Sequence, residues 1–387
     1  MDSTRKLDKV LTMMVQGREG ISDLLFIPGM PPQVERNGVL ETPPVEWPEC
    51  HLANDHVEDL ARTIINGNSK LLQDLAEHGS CDCSYSLPDV CRFRVNIYRE
   101  NGSLAMVLRM LQTEIPSIES LGLDPVFREV VKGKNGIVFI TGASGNGKTT
   151  VLAAMLNEIN RTNQVHIITL EDPVEFLHPH LLATFSQREL GRDFFSFSEG
   201  LRAAFRQAPK VILVGEIRDR ETMENALVAS ETGHAVFSTL HTVSAGQTIN
   251  RILGMFDEKE EQQVRSRLAS ALRYIIGLRL VPKITGGRYL VTEFMGQNLR
   301  TQEAIELGEK DNCRLTDIIE AGQHAGWHSF EQSLLKAFRN DLITEETAML
   351  YATNKSAMRQ LIDSTKTQNH HKFLRANMAN MIIGLAS

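Results

Sequence analysis

At 387 residues the chain exceeds the usual size of one domain, which predicts two domains, or a large one preceded by a smaller one. With 42% apolar and 23% charged residues, and no run near the roughly 20 apolar residues a spanning helix needs, the composition predicts a soluble globular protein with no integral membrane segment. The formal net charge of −7 argues against a protein that coats nucleic acid, because such binding rests on Lys and Arg neutralising phosphates.

In chain order, the opening Met-Asp-Ser-Thr-Arg-Lys-Leu-Asp has no apolar core behind its charges, so no secretory signal and a cytoplasmic location are expected. Leu7 to Val15 has helical spacing, and Asp23 to Ile27 reads as a strand. Val34 to Leu40 carries the Asn37-Gly38 pair of a tight hairpin. The Pro-rich stretch Thr42 to Pro48 reads as a loop, and Val57 to Leu75 as helix interrupted at Gly67. Cys91 to Tyr98 alternates as a half-buried strand does, with Leu104 to Leu111 as its partner, and Pro116 to Leu123 reads as a linker. Beyond it, apolar runs at Gly136 to Thr141, Val165 to Leu170, Val211 to Val214 and Ala235 to Thr239 alternate with helical stretches, the pattern of an α/β domain with a mostly parallel sheet. From Val264 the pattern is mostly helical, apart from a strand at Arg288 to Phe294, with helices near Phe330 to Phe338, Glu345 to Tyr351 and Ser356 to Ile362. Cys50, Cys81, Cys83, Cys91 and Cys313 are odd in number and lack Cys-x-x-Cys pairing, so reduced thiols are expected, not disulfides or structural zinc.

Gly142, Gly147, Lys148 and Thr149 match Gly-x4-Gly-Lys-[Ser/Thr]. The loop follows the apolar Ile137 to Ile140 and precedes an amphipathic helix from Thr150 to Ile159, so its amides and the helix N-terminus can bind anionic oxygens. The expected nucleotide-binding set is Gly142, Ala143, Ser144, Gly145, Asn146, Gly147, Lys148, Thr149 and Thr150, with ATP as the ligand. Lys148 would neutralise the β- and γ-phosphates, and the Thr149 hydroxyl would ligate magnesium. Val211 to Val214 followed by Gly215-Glu216 has the Walker B form, in which Glu216 holds magnesium or a water; an exposed loop acid is the competing reading. Glu171-Asp172-Pro173-Val174-Glu175 forms a third acidic group. Pro173 favours an extended chain there, so Glu175 can turn toward the carboxyl edge of the sheet and act on an attacking water. His241 follows a strand at the same edge, a candidate γ-phosphate sensor. His234, after Glu231-Thr232-Gly233 at a helix end, is either part of the site or structural.

These stretches together resemble the secretion ATPase superfamily, and within it the type IV pilus retraction ATPases, the PilT and PilU group. Glu171 to His178 resembles the family's Asp box, Val214 to Asp219 its Walker B, and Thr232-Gly233-His234 through Thr239-Leu240-His241-Thr242 its His box. Arg92-Phe93-Arg94-Val95-Asn96 resembles the closing strand of its PAS-like N-terminal domain, and Phe330 to Ile362 its C-terminal helices. The resemblance implies a PAS-like α/β domain over residues 1–115, a RecA-like P-loop NTPase core over 116–285, a helical subdomain over 286–363 and a tail over 364–387. It also implies a homohexamer in which Glu175 is the water-activating base, Glu216 the Walker B acid, and N-terminal arginines, here Arg92, Arg94 and Arg109, reach the phosphates. A solvated strand face is the other reading of Arg92 and Arg94, which share a face by alternation.

The function this implies is a magnesium-dependent ATPase driving retraction of a type IV pilus from the inner-membrane platform protein, alone or beside a paralogous retraction ATPase. A type IV secretion or conjugative-pilus ATPase and a PilU-like accessory subunit with weak turnover are the alternatives. The sequence departs from the group's usual pattern in two places. Ala143-Ser144 and Asn146 stand where retraction ATPases usually read Pro-Thr and Ser, and Asn298 to Glu306 stands where they typically carry an Ala-Ile-Arg-Asn-Leu-Ile-Arg-Glu helix. The apolar Met378 to Leu385 is either a packed tail or a docking patch for the platform.

Overall fold

The computed structural model describes residues 3–17, 20–43, 51–88, 90–111, 114–310 and 314–367. Most of the Thr42 to Pro48 loop, Cys50, Cys313 and the apolar stretch Met378 to Leu385 lie outside the described residues. The chain forms two compact units, each from two stretches of sequence: the described parts of Met1–Leu123 with Ala153–Gly215, and of Asp124–Leu152 with Glu216–Ser387.

In the first unit, β1 (Ile21–Phe26), β2 (Gln33–Arg36), β3 (Val39–Glu41), β4 (Ser80–Leu87), β5 (Cys91–Glu100) and β6 (Ser103–Leu111) make an antiparallel sheet in the order β3-β2-β1-β6-β5-β4. The β2-β3 hairpin turns at Asn37 and Gly38, both at positive φ (51° and 82°), the backbone that a two-residue turn between twisted strands requires. The expected long helix divides as anticipated at Gly67 into Asn54–Ile65 and Ser69–Glu77. Asn68 caps the second, its side chain accepting from the Lys70 and Leu71 amides. Leu7, Leu11 and Met14 of the helix Ser3–Val15 share one core with Val57, Leu60, Phe26 and Phe93. β4 was not anticipated. Its sequence, Ser-Cys-Asp-Cys-Ser-Tyr-Ser-Leu, is poor in strand-forming residues, and pairing with β5 from Ser80 opposite Tyr98 to Leu87 opposite Cys91 holds it in place.

The chain continues through β7 (Gly136–Thr141), the helix Lys148–Thr162, β8 (His166–Glu171), β9 (Thr184–Glu189), β10 (Val211–Val214), β11 (Ala235–Leu240), β12 (Leu272–Pro282) and β13 (Arg288–Gly296). In the first unit β10, β8 and β9 pair in parallel, in that order. In the second, β7 has parallel partners in β11 and β12, and β13 lies antiparallel to β12. Every residue of β7 and β11 is buried, as expected of parallel strands covered on both faces, which read as unbroken apolar runs. The mostly helical expectation after Val264 is corrected by β12. Leu-Arg-Tyr-Ile-Ile-Gly-Leu-Arg-Leu-Val-Pro satisfies helical and strand spacing alike, and pairing with both β7 and β13 decides for strand.

The helices expected near Phe330, Glu345 and Ser356 are present as Phe330–Arg339, Glu345–Tyr351 and residues 355–367. They pack Leu334, Ile343, Ala348, Met358 and Ile362 against Val281 and Val291 of β12 and β13. No helix among the described residues is long and apolar enough to cross a membrane.

Two features of the second unit bear on its stability. Trp327 is seated against Gly296 and Gly322, where an added Cβ would lie 2.5 and 2.6 Å from its indole atoms. Gly296→Ala is therefore expected to destabilise the protein by about 1–3 kcal/mol through overpacking, read as a lower midpoint in denaturant. Glu293 on β13 is buried and accepts the Ala245 amide at 2.7 Å. Burial pushes its carboxyl up to about 7 and nearby Glu331 adds to this, while the Ala245 amide and Arg279 oppose it. A carboxyl that holds its proton more tightly folded than unfolded contributes stability that is fully present below the ordinary carboxylate range and is lost as pH rises through about 7. Glu293→Gln should remove that part of the decline, so its advantage over wild type in denaturant titrations should grow from pH 5 to pH 8.

Candidate nucleotide site

In the second unit the loop between β7 and the helix beginning at Lys148 has the form of a phosphate cradle. Gly142 has φ of 146°, and a Cβ there would meet the Leu278 carbonyl of β12 at 2.7 Å, so only glycine fits. Asn146 braces the loop, its amide donating to the same carbonyl at 3.0 Å. Ala143, Ser144 and Gly145 are exposed at the crest, while Thr149 and Thr150 are half-buried in the first helical turn, where amides lack intrahelical partners. Lys148 is buried, and its ammonium turns back to donate to the carbonyls of Gly142 at 2.8 Å and Ala143 at 3.2 Å. Desolvation lowers its pKa, opposed by the charge of Glu216. An ammonium at the head of a glycine loop that leads into a helix N-terminus fits a polyphosphate, whose charge would replace the two carbonyls as its partner.

Glu216 lies just beyond Val214, its side chain 13% exposed. One oxygen meets Arg218 at 2.6 Å, and the other faces His241 Nε2 at 3.7 Å. Burial lowers the pKa of His241, with Lys148 and Arg218 adding to the effect and Glu216 opposing it, so its imidazole is neutral at neutral pH. Lys148, Glu216 and His241 thus form one electrostatic group beside the loop. Arg218, which the sequence reading passed over, belongs to it. Thr149 and Glu216 fit magnesium, a cation that takes few protein ligands and completes its shell with phosphate and water. Among the described residues no group of three or more His, Cys, Asp and Glu could hold a metal by itself.

His234 is placed elsewhere. It stands before β11, its ring 2.9 Å from the Ala229 carbonyl and 3.1 Å from the Thr232 hydroxyl at the end of the preceding helix. His241 follows the other end of β11, so the strand's six residues, about 20 Å at the usual rise, separate the two.

The acidic segment belongs to the first unit. After β8 the chain turns at a cis Asp172-Pro173 bond. Glu171 is buried beneath the turn, and burial raises its carboxyl to about 7 against hydrogen bonds from the Thr169 hydroxyl, Gln187 and the Glu175 backbone. Gln187 on β9 also donates to the Phe176 carbonyl at 2.7 Å and accepts the His178 amide at 2.8 Å. The segment carrying Glu175 is therefore held by its backbone from β8 and β9. Sequence inspection singled out Glu175 and missed this support, because Glu171 and Gln187 carry no motif signal beyond lying near it.

The three arginines fall into different settings. Arg94 and Arg109 are register partners on β5 and β6, paired with Asp82 at 3.9 Å and Asp23 at 2.9 Å, and Arg109 keeps 69% of its side chain exposed. Arg92 is buried and forms an ion pair with Glu189 at the end of β9.

Residues 86–375 match the model of the type II/IV secretion system protein family. The chain is 37% identical over 346 residues to the type IV pilus retraction ATPase PilT of Pseudomonas aeruginosa, covering 88% of this chain and 97% of that protein. It is 34% identical over 362 residues to the type IV pilus ATPase PilU of the same organism, covering 92% and 91%. A crystal structure of the pilus retraction motor PilT with bound ADP matches 92% of this chain and 98% of that one at 36% identity, with a TM-score of 0.80. The chain belongs to the type II/IV secretion system protein family, and within it to the ATPases of the PilT and PilU type.

Proposed function

We propose that this ATPase is a magnesium-dependent, hexameric motor that works in the cytoplasm at the inner-membrane base of a type IV pilus and drives its retraction. The observation that carries the reading is the braced loop at Gly142 with Lys148, Glu216 and His241 gathered beside it, in a chain similar to PilT over nearly the whole of that protein's length. In this reading residues 1–115 are a PAS-like domain, 116–285 the RecA-like core and 286–363 the helical subdomain.

Bound ATP supplies the phosphoryl group whose transfer to water releases the free energy for movement. The loop amides and Lys148 hold its phosphates, Thr149 and Glu216 hold magnesium, and Glu175 takes the proton of the attacking water. His241, neutral and beside Glu216, offers one N–H to the terminal phosphate. Arg94 and Arg109, whose acidic partners are at the surface or reached by an exposed guanidinium, are the arginines free to exchange those partners for phosphate as the N-terminal domain moves. The platform protein of the pilus would receive the work. A second reading, an accessory motor with weak turnover, draws on the comparable similarity to PilU.

Glu175→Gln and Glu216→Gln should each lower kcat about 10²-fold or more while leaving nucleotide affinity within a few-fold, because each acts on chemistry. Wild-type turnover in either variant removes that residue from its role. Lys148→Ala should weaken nucleotide binding itself, measured by titration with a fluorescent ATP analogue. Deleting the gene separates the motor readings: more surface pili mark a retraction motor, and fewer mark an assembly motor. Turnover by the purified chain alone, set against turnover beside a paralogous motor, identifies an accessory subunit.

A further inference from the structure

Glu189, at the end of β9, is a buried carboxylate with several partners in the first unit. Its side chain is 7% exposed and that of Arg92 is 10% exposed. The Arg92 guanidinium donates to Glu189 Oε2 and, at 2.7 Å, to the Ser84 hydroxyl, which in turn donates to Glu189 Oε1 at 2.6 Å. Glu189 Oε2 also accepts the Val174 amide at 3.2 Å. Val174 immediately precedes Glu175, whose own backbone bonds to Glu171. Glu171 and Glu189 are register partners on β8 and β9, so adjacent carboxylates hold two consecutive amides of the segment that carries Glu175. Asn68 adds a further tie, donating to the Gly191 carbonyl two residues beyond Glu189 at 3.1 Å.

Both charges are almost wholly withdrawn from water, a placement that costs several kcal/mol per ion unless geometry and extra hydrogen bonds offset it. Here the hydroxyl of Ser84 and the amide of Val174 supply bonds to the carboxylate, while Arg92 Nε is buried without a partner. The pair therefore specifies position more than it adds stability. An arginine with this partner is poorly placed to serve as a phosphate ligand, since leaving Glu189 would strand a buried carboxylate.

We infer that Arg92 is a positioning residue: through Glu189 it fixes the Val174-Glu175 backbone, so that the N-terminal sheet sets the aim of the water-activating carboxylate. The inference rests on the proposed role of Glu175, and it divides the three arginines by task. Arg94 and Arg109 remain the phosphate candidates, and Arg92 acts on the base.

The test is steady-state ATP hydrolysis by the full chain. Arg92→Met and Glu189→Gln should each lower kcat about 10- to 100-fold with the KM for ATP within about threefold, the signature of a displaced catalytic group with intact nucleotide binding. In a Glu175→Gln background, adding Arg92→Met should lower kcat by less than about twofold, because the group it positions is already gone. Because a lone buried charge can unfold the protein, the paired variant Arg92→Met with Glu189→Met is the second probe. It should melt near wild type and still show the reduced kcat. A KM that rises while kcat holds, a full additional loss in the Glu175→Gln background, or wild-type kcat in the folded paired variant each overturns the inference. Absence of ATP hydrolysis by the wild-type chain would instead overturn the motor reading, so the two failures are distinguishable.

Discussion

The loop of the second unit depends on one close approach: a Cβ on Gly142 would lie 2.7 Å from the Leu278 carbonyl of β12. The contact exists because β12 lies parallel to β7 and its register brings Gly277 opposite Thr141, the last residue before the loop. Any side chain at position 142 would force the strands apart or lift the loop away. Asn146 donates to the same carbonyl, so the loop is pinned at its first residue and again near its middle. Lys148 follows as the helix begins, and its ammonium reaches back over the pinned segment. The loop's own contacts with β12 thus define the shape of the cradle.

Burial treats the acids of the molecule differently according to their partners. Glu171 and Glu293 are both deeply buried and mostly bonded to neutral groups, and both are pushed up to about 7. Glu189, at a similar depth beside Glu171, has the guanidinium of Arg92 against it. Glu216 is less buried and lies between Arg218 and His241. Glu171 and Glu293 can accept an amide hydrogen bond in either protonation state, but burial penalises their charged form, so ionisation costs stability. Glu216 lies near the cationic Arg218 and Lys148, as Glu189 lies against Arg92, but Glu216 stands beside the loop and not within a strand pair. The distinction supports a chemical task for Glu216 and a scaffolding task for Glu171 and Glu293.

The sequence made much of this legible wherever one residue type had a single physical meaning. Asn37-Gly38 demanded a hairpin turn, the unbroken apolar runs of β7 and β11 demanded covered strands, and Gly-x4-Gly-Lys-Thr demanded an anion loop. β4 and β9 escaped because Ser-Cys-Asp-Cys-Ser-Tyr-Ser-Leu and Thr-Phe-Ser-Gln-Arg-Glu are strands by virtue of their neighbours and not of their own propensity. β12 escaped because its apolar residues fit two periods, and only its partners choose between them. The buried pairing of Arg92 was equally invisible. Alternation placed Arg92 and Arg94 on one face, but the distant Glu189, 97 residues along, decides which of them is covered.

That dependence on partners also bears on the departures from the retraction group. Asn146 replaces the usual serine, yet its longer side chain spans the gap to Leu278 and ties the loop to β12. The helix at Leu299–Leu307 persists although its residues differ from the group's usual ones, and Asn298 caps it reciprocally with Thr301. A motif letter can therefore change while the geometry it served is kept by other means. Divergence at an exposed helix carries a different meaning from divergence at a cradle. The cradle is constrained by the fit of Gly142 against β12, whereas Leu299 and Leu307 are exposed and carry no such constraint. What sets this chain apart from its relatives is then expected at exposed positions such as these, and not at the braced loop.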